Sequence, residues 1–124
     1  MHILTVSNLP AFVDDVDSEV DLEGLRRELV IMLVDELMSS VQSVRVAFPE
    51  DRLDPPESEA GGTSTVIAHL ESIVVMEERQ RHIQFVANKV CAIIGVALDD
   101  RVKVYCYASR VNPALQAILF PLAR

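Results

Sequence analysis

The sequence predicts an α+β domain: a tandem β-α-β repeat whose four strands form one mixed sheet with two helices on one face. Three observations predict it. Ser43-Val44-Arg45-Val46 and Asp100-Arg101-Val102-Lys103-Val104-Tyr105 read as matching strands, each closing its own half of the chain, about residues 1–50 and 64–110. Within each half, aliphatic residues recur at helical spacing between two β-rich runs. Right-handed crossovers then put both helices on the same side of the sheet. The other side is left uncovered, although strands 65–75 and 101–107 offer apolar side chains to both faces. A homo-oligomer closed around an axis is the expected solution.

Each element has a local cause. Residues 2–7 (HILTVS) are β-rich and stop at the turn signal Asn8-Leu9-Pro10. Asp14, Asp15, Asp17 and Glu19 mark a solvated loop leading into a helix, for which Ser18 and Asp21 supply starting residues. Leu22, Leu25, Leu29, Leu33 and Leu37 form the helix stripe, which runs to about Met38. Residues 41–48 are the second strand, stopped by Pro49, and residues 50–64 read as a long connecting loop. Residues 65–75 are a central strand. Glu77 and Glu78 open a second helix with Ile83, Val86, Val90, Cys91 and Ile94 buried and Gly95 as its C-terminal cap. Residues 101–107 are the fourth strand. The tail, 111–124, is too apolar to be free and is expected to pack on its own core or on a neighbour.

Composition narrows the function. The 124 residues suit a single domain with an ordinary core, aliphatic because only 5% are aromatic and none is Trp. The net charge of −8 repels a phosphate backbone, which argues against nucleic acid as a partner. An anionic small molecule fits if positive residues gather locally. No apolar run reaches the length of a membrane span, and the start lacks the pattern of a secretion signal, so no membrane association and a cytoplasmic protein are expected. Cys91 and Cys106 form no CxxC and no zinc-like spacing and read as small hydrophobes. His69 reads as a hydrogen-bonded core histidine, and His82 falls on the wet side of its helix. The acidic loop lacks the glycine and terminal glutamate of a calcium hand. Gly61-Gly62 is not followed by the Gly-Lys-Ser/Thr of a phosphate loop. No metal is expected.

In chain order, MHILTVSNLP with its Asn-x-Pro turn, SVQSVRVAFPEDRL, AHLESI and DDRVKVYCY resemble the four strands of the tautomerase superfamily, to which macrophage migration inhibitory factor and 4-oxalocrotonate tautomerase belong. The resemblance covers about residues 1–107. It implies a homotrimer of β-α-β-β-α-β subunits with three pockets at subunit boundaries and no cofactor. In the family an N-terminal proline is the general base that moves a proton between carbon and oxygen of an enol or α-keto acid. A second-strand arginine holds the substrate carboxylate, and fourth-strand groups complete the site. Matching the Asn8-Leu9-Pro10 turn places Met1 at the proline position, and the bulk of His2 should discourage removal of Met1. The implied site is therefore Met1, Lys103 and Tyr105 for catalysis, with Arg45 and Ile73 for a small anionic carboxylate substrate.

Each of these residues also has a plain structural reading. An ordinary α-amine is mostly protonated at neutral pH, so Met1 becomes a competent base only if cations such as Arg45 and Lys103 disfavour its charge. Otherwise it is simply the start of a strand. Arg45 grips a carboxylate through its forked guanidinium or makes a boundary salt bridge. Lys103 binds an anion, tunes the amine or acts as the base, or is an ordinary strand lysine. Tyr105 donates to a developing enolate oxygen or packs at an interface, and Ile73 walls the pocket or packs. The expected function is weak or atypical keto–enol isomerisation. A catalytically silent trimer that binds a ligand or protein is the alternative, and a ferredoxin-like metabolite sensor is a third.

Overall fold

Strands and helices follow the order β-α-β-β-α-β that the hydropathy periods require: β1 (His2–Ser7), α1 (Leu22–Glu36), β2 (Val44–Ala47), β3 (Thr65–Ser72), α2 (Gln80–Ala97) and β4 (Lys103–Arg110). The computed structural model describes residues 1–10, 13, 19–49, 65–72 and 79–110. The sheet order is β2-β1-β3-β4. β1 runs parallel to β2, β3 runs parallel to β4, and the two β-α-β units meet where β1 and β3 pair antiparallel, with Leu4 opposite Leu70. Both helices pack on one face. Leu4, Val6, Val44, Val46, Val66, Ala68 and Leu70 are buried there against Leu25, Leu29 and Leu33 of α1 and Val86, Val90 and Ile94 of α2.

The helix ends have specific causes. The Asp21 carboxylate accepts the Gly24 N–H at 2.9 Å and caps α1. A Cβ on Gly24 would lie 2.5 Å from Asp21 Oδ2, so a larger residue there would have to displace the capping carboxylate. Gly95 does not cap α2, contrary to the expectation. The helix runs on to Ala97, and Asp99 (φ 60°) and Asp100 (φ 56°) make the left-handed exit. Aspartate tolerates that conformation because its short polar side chain can bond locally, and the Asp100 N–H closes the end on Gly95 O at 2.8 Å. α1 ends similarly at Met38 (φ 50°), with the Ser39 N–H on Val34 O at 3.0 Å.

Strand boundaries also shift. Val41–Ser43 is a 3-10 turn rather than the start of β2, closed by the Ser43 N–H on Ser40 O at 3.0 Å. β4 begins two residues later and ends three residues later than expected. The face away from the helices is more polar than expected, because Thr65, Ile67, His69 and Glu71 of β3 lie opposite the buried set, as do Lys103, Tyr105, Tyr107 and Ser109 of β4. His82 is half-buried rather than wet, and its Nε2–H donates to Glu36 O at 2.8 Å. Asp14, Asp15, Asp17, Ser18, the 50–64 loop with Gly61-Gly62, strand positions 73–75, Glu77, Glu78 and the tail 111–124 lie outside the described residues. No helix among the described residues is long and apolar enough to cross a membrane.

Met38 is 93% exposed in a conformation that glycine adopts without penalty. Met38→Gly is therefore expected to raise stability by about 0.5–1 kcal/mol, read as a higher denaturation midpoint in urea.

Candidate functional site

The start of β1 is held by a buried histidine that sequence reasoning passed over. His2 is 3% exposed and lies on the helix side of the sheet. Ser39 Oγ donates to Leu37 O at 3.2 Å, so it accepts from His2 Nε2–H at 2.5 Å. His2 Nδ1 is then left to accept the Ser72 hydroxyl at 2.5 Å. This assigns the neutral Nε2–H tautomer from the hydrogen-bond network. Burial first, and then the positive charge of the N-terminus, lowers the His2 pKa to about 4. The only advance signal was a polar residue at an inward position of an otherwise apolar strand.

Residue 1 precedes this anchor and shares the alternation of Ile3, on the face away from the helices, where Ile3 is nonetheless buried. Ile3 pairs with Arg45 on β2 and with Glu71 on β3, so Met1, Arg45 and Glu71 gather at one end of that face. Lys103 and Tyr105 do not join them within one chain. Lys103 pairs with Thr65 and Tyr105 with Ile67, which in turn faces Ser7, at the far end of β1. Six residues of strand, roughly 20 Å at the usual rise, separate the two groups. In a single subunit, then, the neighbours of residue 1 are Arg45 and Glu71, one of each sign, rather than Arg45 and Lys103. Ile73 lies outside the described residues.

A cavity of about 430 Å³ opens between the end of α1 and the start of α2, lined by Glu36, Leu37, Met38, Arg79, Arg81 and His82. It sits at the same end of the fold as residue 1, since Ser39, two residues from Leu37, holds His2. Arg79 and Arg81 place two positive charges in its lining beside Glu36, and their signal in the sequence is the run Arg79-Gln80-Arg81-His82. The thiols are unsuited to nucleophilic work: burial raises Cys91, and burial followed by the neighbouring Cys91 pushes Cys106 up to about 12. Among the described residues no group of three or more His, Cys, Asp or Glu is placed to hold a metal ion.

The same fold recurs in solved structures. A macrophage migration inhibitory factor homologue from Prochlorococcus marinus superposes with a TM-score of 0.57 at 21% identity, covering 89% of this chain and 87% of that one. A native fused 4-OT gives 0.59 at 18% identity, covering 87% of each chain. 5-carboxymethyl-2-hydroxymuconate delta-isomerase gives 0.56 at 15% identity, covering 99% and 94%. The likeness is one of fold: a four-stranded mixed sheet with two helices, in the β-α-β arrangement. No protein-family model and no curated protein matches the sequence.

The buried histidine has a pH signature. Unfolded His2 takes up its proton near 6.5 and folded His2 only near 4, so between those values the unfolded state binds more protons. Stability therefore rises with pH across that window and falls as acid is added. The expected loss from pH 7 to pH 4 is about 3 kcal/mol from this group, and His2→Asn should remove most of it in urea titrations at the two pH values.

Proposed function

We propose that the chain is a tautomerase-superfamily protein that moves a proton in a small enol or α-keto carboxylate, at a pocket shared between subunits of a homotrimer. The observation that carries this reading is the pairing of β1 with β2, which sets Arg45 beside the strand that begins at Met1, on a fold shared with the isomerase named above. Arg45 binds the substrate carboxylate through two parallel N–H donors. The Met1 amine, in its neutral form, accepts the enol proton and returns it to carbon. Lys103 and Tyr105, at the far end of their own sheet, act from an adjacent copy: the lysine adds positive charge and the phenol donates to the enolate oxygen. A primary amine stands where the superfamily uses proline, so turnover is weak or specialised.

A second reading has one observation in its favour. The cavity lined by Arg79, Arg81 and His82 offers cationic lining without Met1 or Arg45. A catalytically silent trimer would bind an anionic ligand there.

The readings separate on protein with an authentic, untagged N-terminus. Phenylenolpyruvate or 2-hydroxymuconate ketonisation should be detectable. Arg45→Ala should lower kcat/KM by roughly 10- to 100-fold, the effect of losing a charge-assisted hydrogen bond worth about 1.5–3 kcal/mol. Lys103→Ala should lower it too, and native mass should report a trimer. An intact trimer without ketonisation selects the silent reading, and a monomer removes the shared pocket altogether.

A further inference from the structure

The sheet face away from the helices carries a group that the proposed proton transfer does not use. His69 and Glu71 lie two residues apart on β3, and Ser109 stands opposite Glu71 on β4. Ser109 Oγ is 2.6 Å from His69 Nε2, and His69 Nδ1 is 3.8 Å from Glu71 Oε1. Tyr107 stacks on the imidazole, with ring centroids 4.3 Å apart and planes 11° from parallel. Tyr105 tilts against Tyr107 at 5.9 Å. Carboxylate, imidazole and hydroxyl thus follow one another across two parallel strands.

We propose that Ser109 is a nucleophile toward small aryl esters, with His69 as its general base and Glu71 as the carboxylate that positions His69. A nucleophile within hydrogen-bond reach of a base that is itself oriented by a third group is the arrangement that activates a hydroxyl. The carboxylate beside Nδ1 favours the tautomer with its proton there, which leaves Nε2 to accept the Ser109 proton. Stacking on Tyr107 holds the ring plane, and the 3.8 Å separation is within the looseness that such sites show before substrate arrives. In the single chain His69 and Glu71 are 27% and 20% exposed, partly screened from water. Tyr105 and Tyr107 offer π faces for an aromatic leaving group. In the reaction, Ser109 Oγ bonds to the acyl carbon as its proton passes to His69 Nε2. The bond from that carbon to the phenolic oxygen breaks, and His69 returns the proton to the departing phenolate. Water, deprotonated by His69, then cleaves the acyl-serine, which releases the carboxylic acid and restores the hydroxyl.

The test uses the full chain with p-nitrophenyl acetate and phenylmethylsulfonyl fluoride, followed by peptide mapping, which separates Ser109 from the Met1 amine and the lysines. Acetyl and sulfonyl groups are expected on Ser109. Ser109→Ala should abolish that label, and His69→Gln should slow it on the order of 100-fold. Glu71→Gln should lower the labelling rate and Glu71→Asp should restore part of it, a rescue that a carboxylate with only a structural role would not show. Ser109→Cys adds a check: iodoacetamide should alkylate position 109, and the added His69→Gln change should slow that alkylation while leaving the rates at Cys91 and Cys106 unchanged. Absence of label on Ser109 in the native assembly, or equal rates in wild type and a folded His69→Gln variant, would overturn the proposal.

Discussion

Along β1, His2, Leu4 and Val6 face the helices while Ile3, Thr5 and Ser7 face away, and both neighbouring strands are held to that alternation. Val44 and Val46 on one side, and Ala68, Leu70 and Ser72 on the other, complete the inward set. A slip of one residue in either ladder would carry Arg45 or Glu71 under the helices and expose a row of buried valine and leucine. Each such side chain is worth about 1.5–3 kcal/mol when buried, so a slipped register loses several of them at once. Every functional placement follows from this parity, including that of residue 1 beside the row of Arg45 and Glu71.

Two members of the inward set are polar, His2 and Ser72. A buried imidazole is costly unless its nitrogens are satisfied, and both His2 nitrogens are bonded, to Ser72 on β3 and to Ser39 just before β2. The same network therefore ties together three segments at the end where the chain begins. Glu36 adds two further links there, to Lys89 Nζ at 2.6 Å and to His82 through its backbone oxygen. Lys89 is partly exposed, and a pair of that kind contributes modestly to stability. Its larger effect is to hold α1 against α2 beside the cavity of Arg79 and Arg81.

The sheet face away from the helices holds its candidate groups at two ends. Arg45 lies with Met1, while Lys103 and Tyr105 lie a strand length away. A site that needs both groups ties chemistry to assembly, because symmetry alone can bring the far end of one sheet to the near end of another. The His69, Glu71 and Ser109 group differs in kind: it is complete within one chain and depends only on the pairing of β3 with β4.

Element types were legible in the sequence because hydropathy periods are local. The leucine stripe of α1, the aliphatic stripe of α2 and the β-rich runs each declare a helix or a strand from neighbours in the chain. Arg45 on an outward strand position was equally readable, since alternation alone assigns it. His69 was misplaced for a related reason: its apolar neighbours Ala68 and Leu70 suggested a core, yet in a strand the flanking residues point to the opposite face. Other features depended on tertiary structure. The two bonds of His2 reach partners 37 and 70 residues away, and the separation of Lys103 from Met1 depends on strand order and register. Periodicity is a property of adjacent residues. Register and long-range hydrogen bonds exist only once distant segments pack, and so the sequence alone determined the elements while the packed sheet decided which side chains meet.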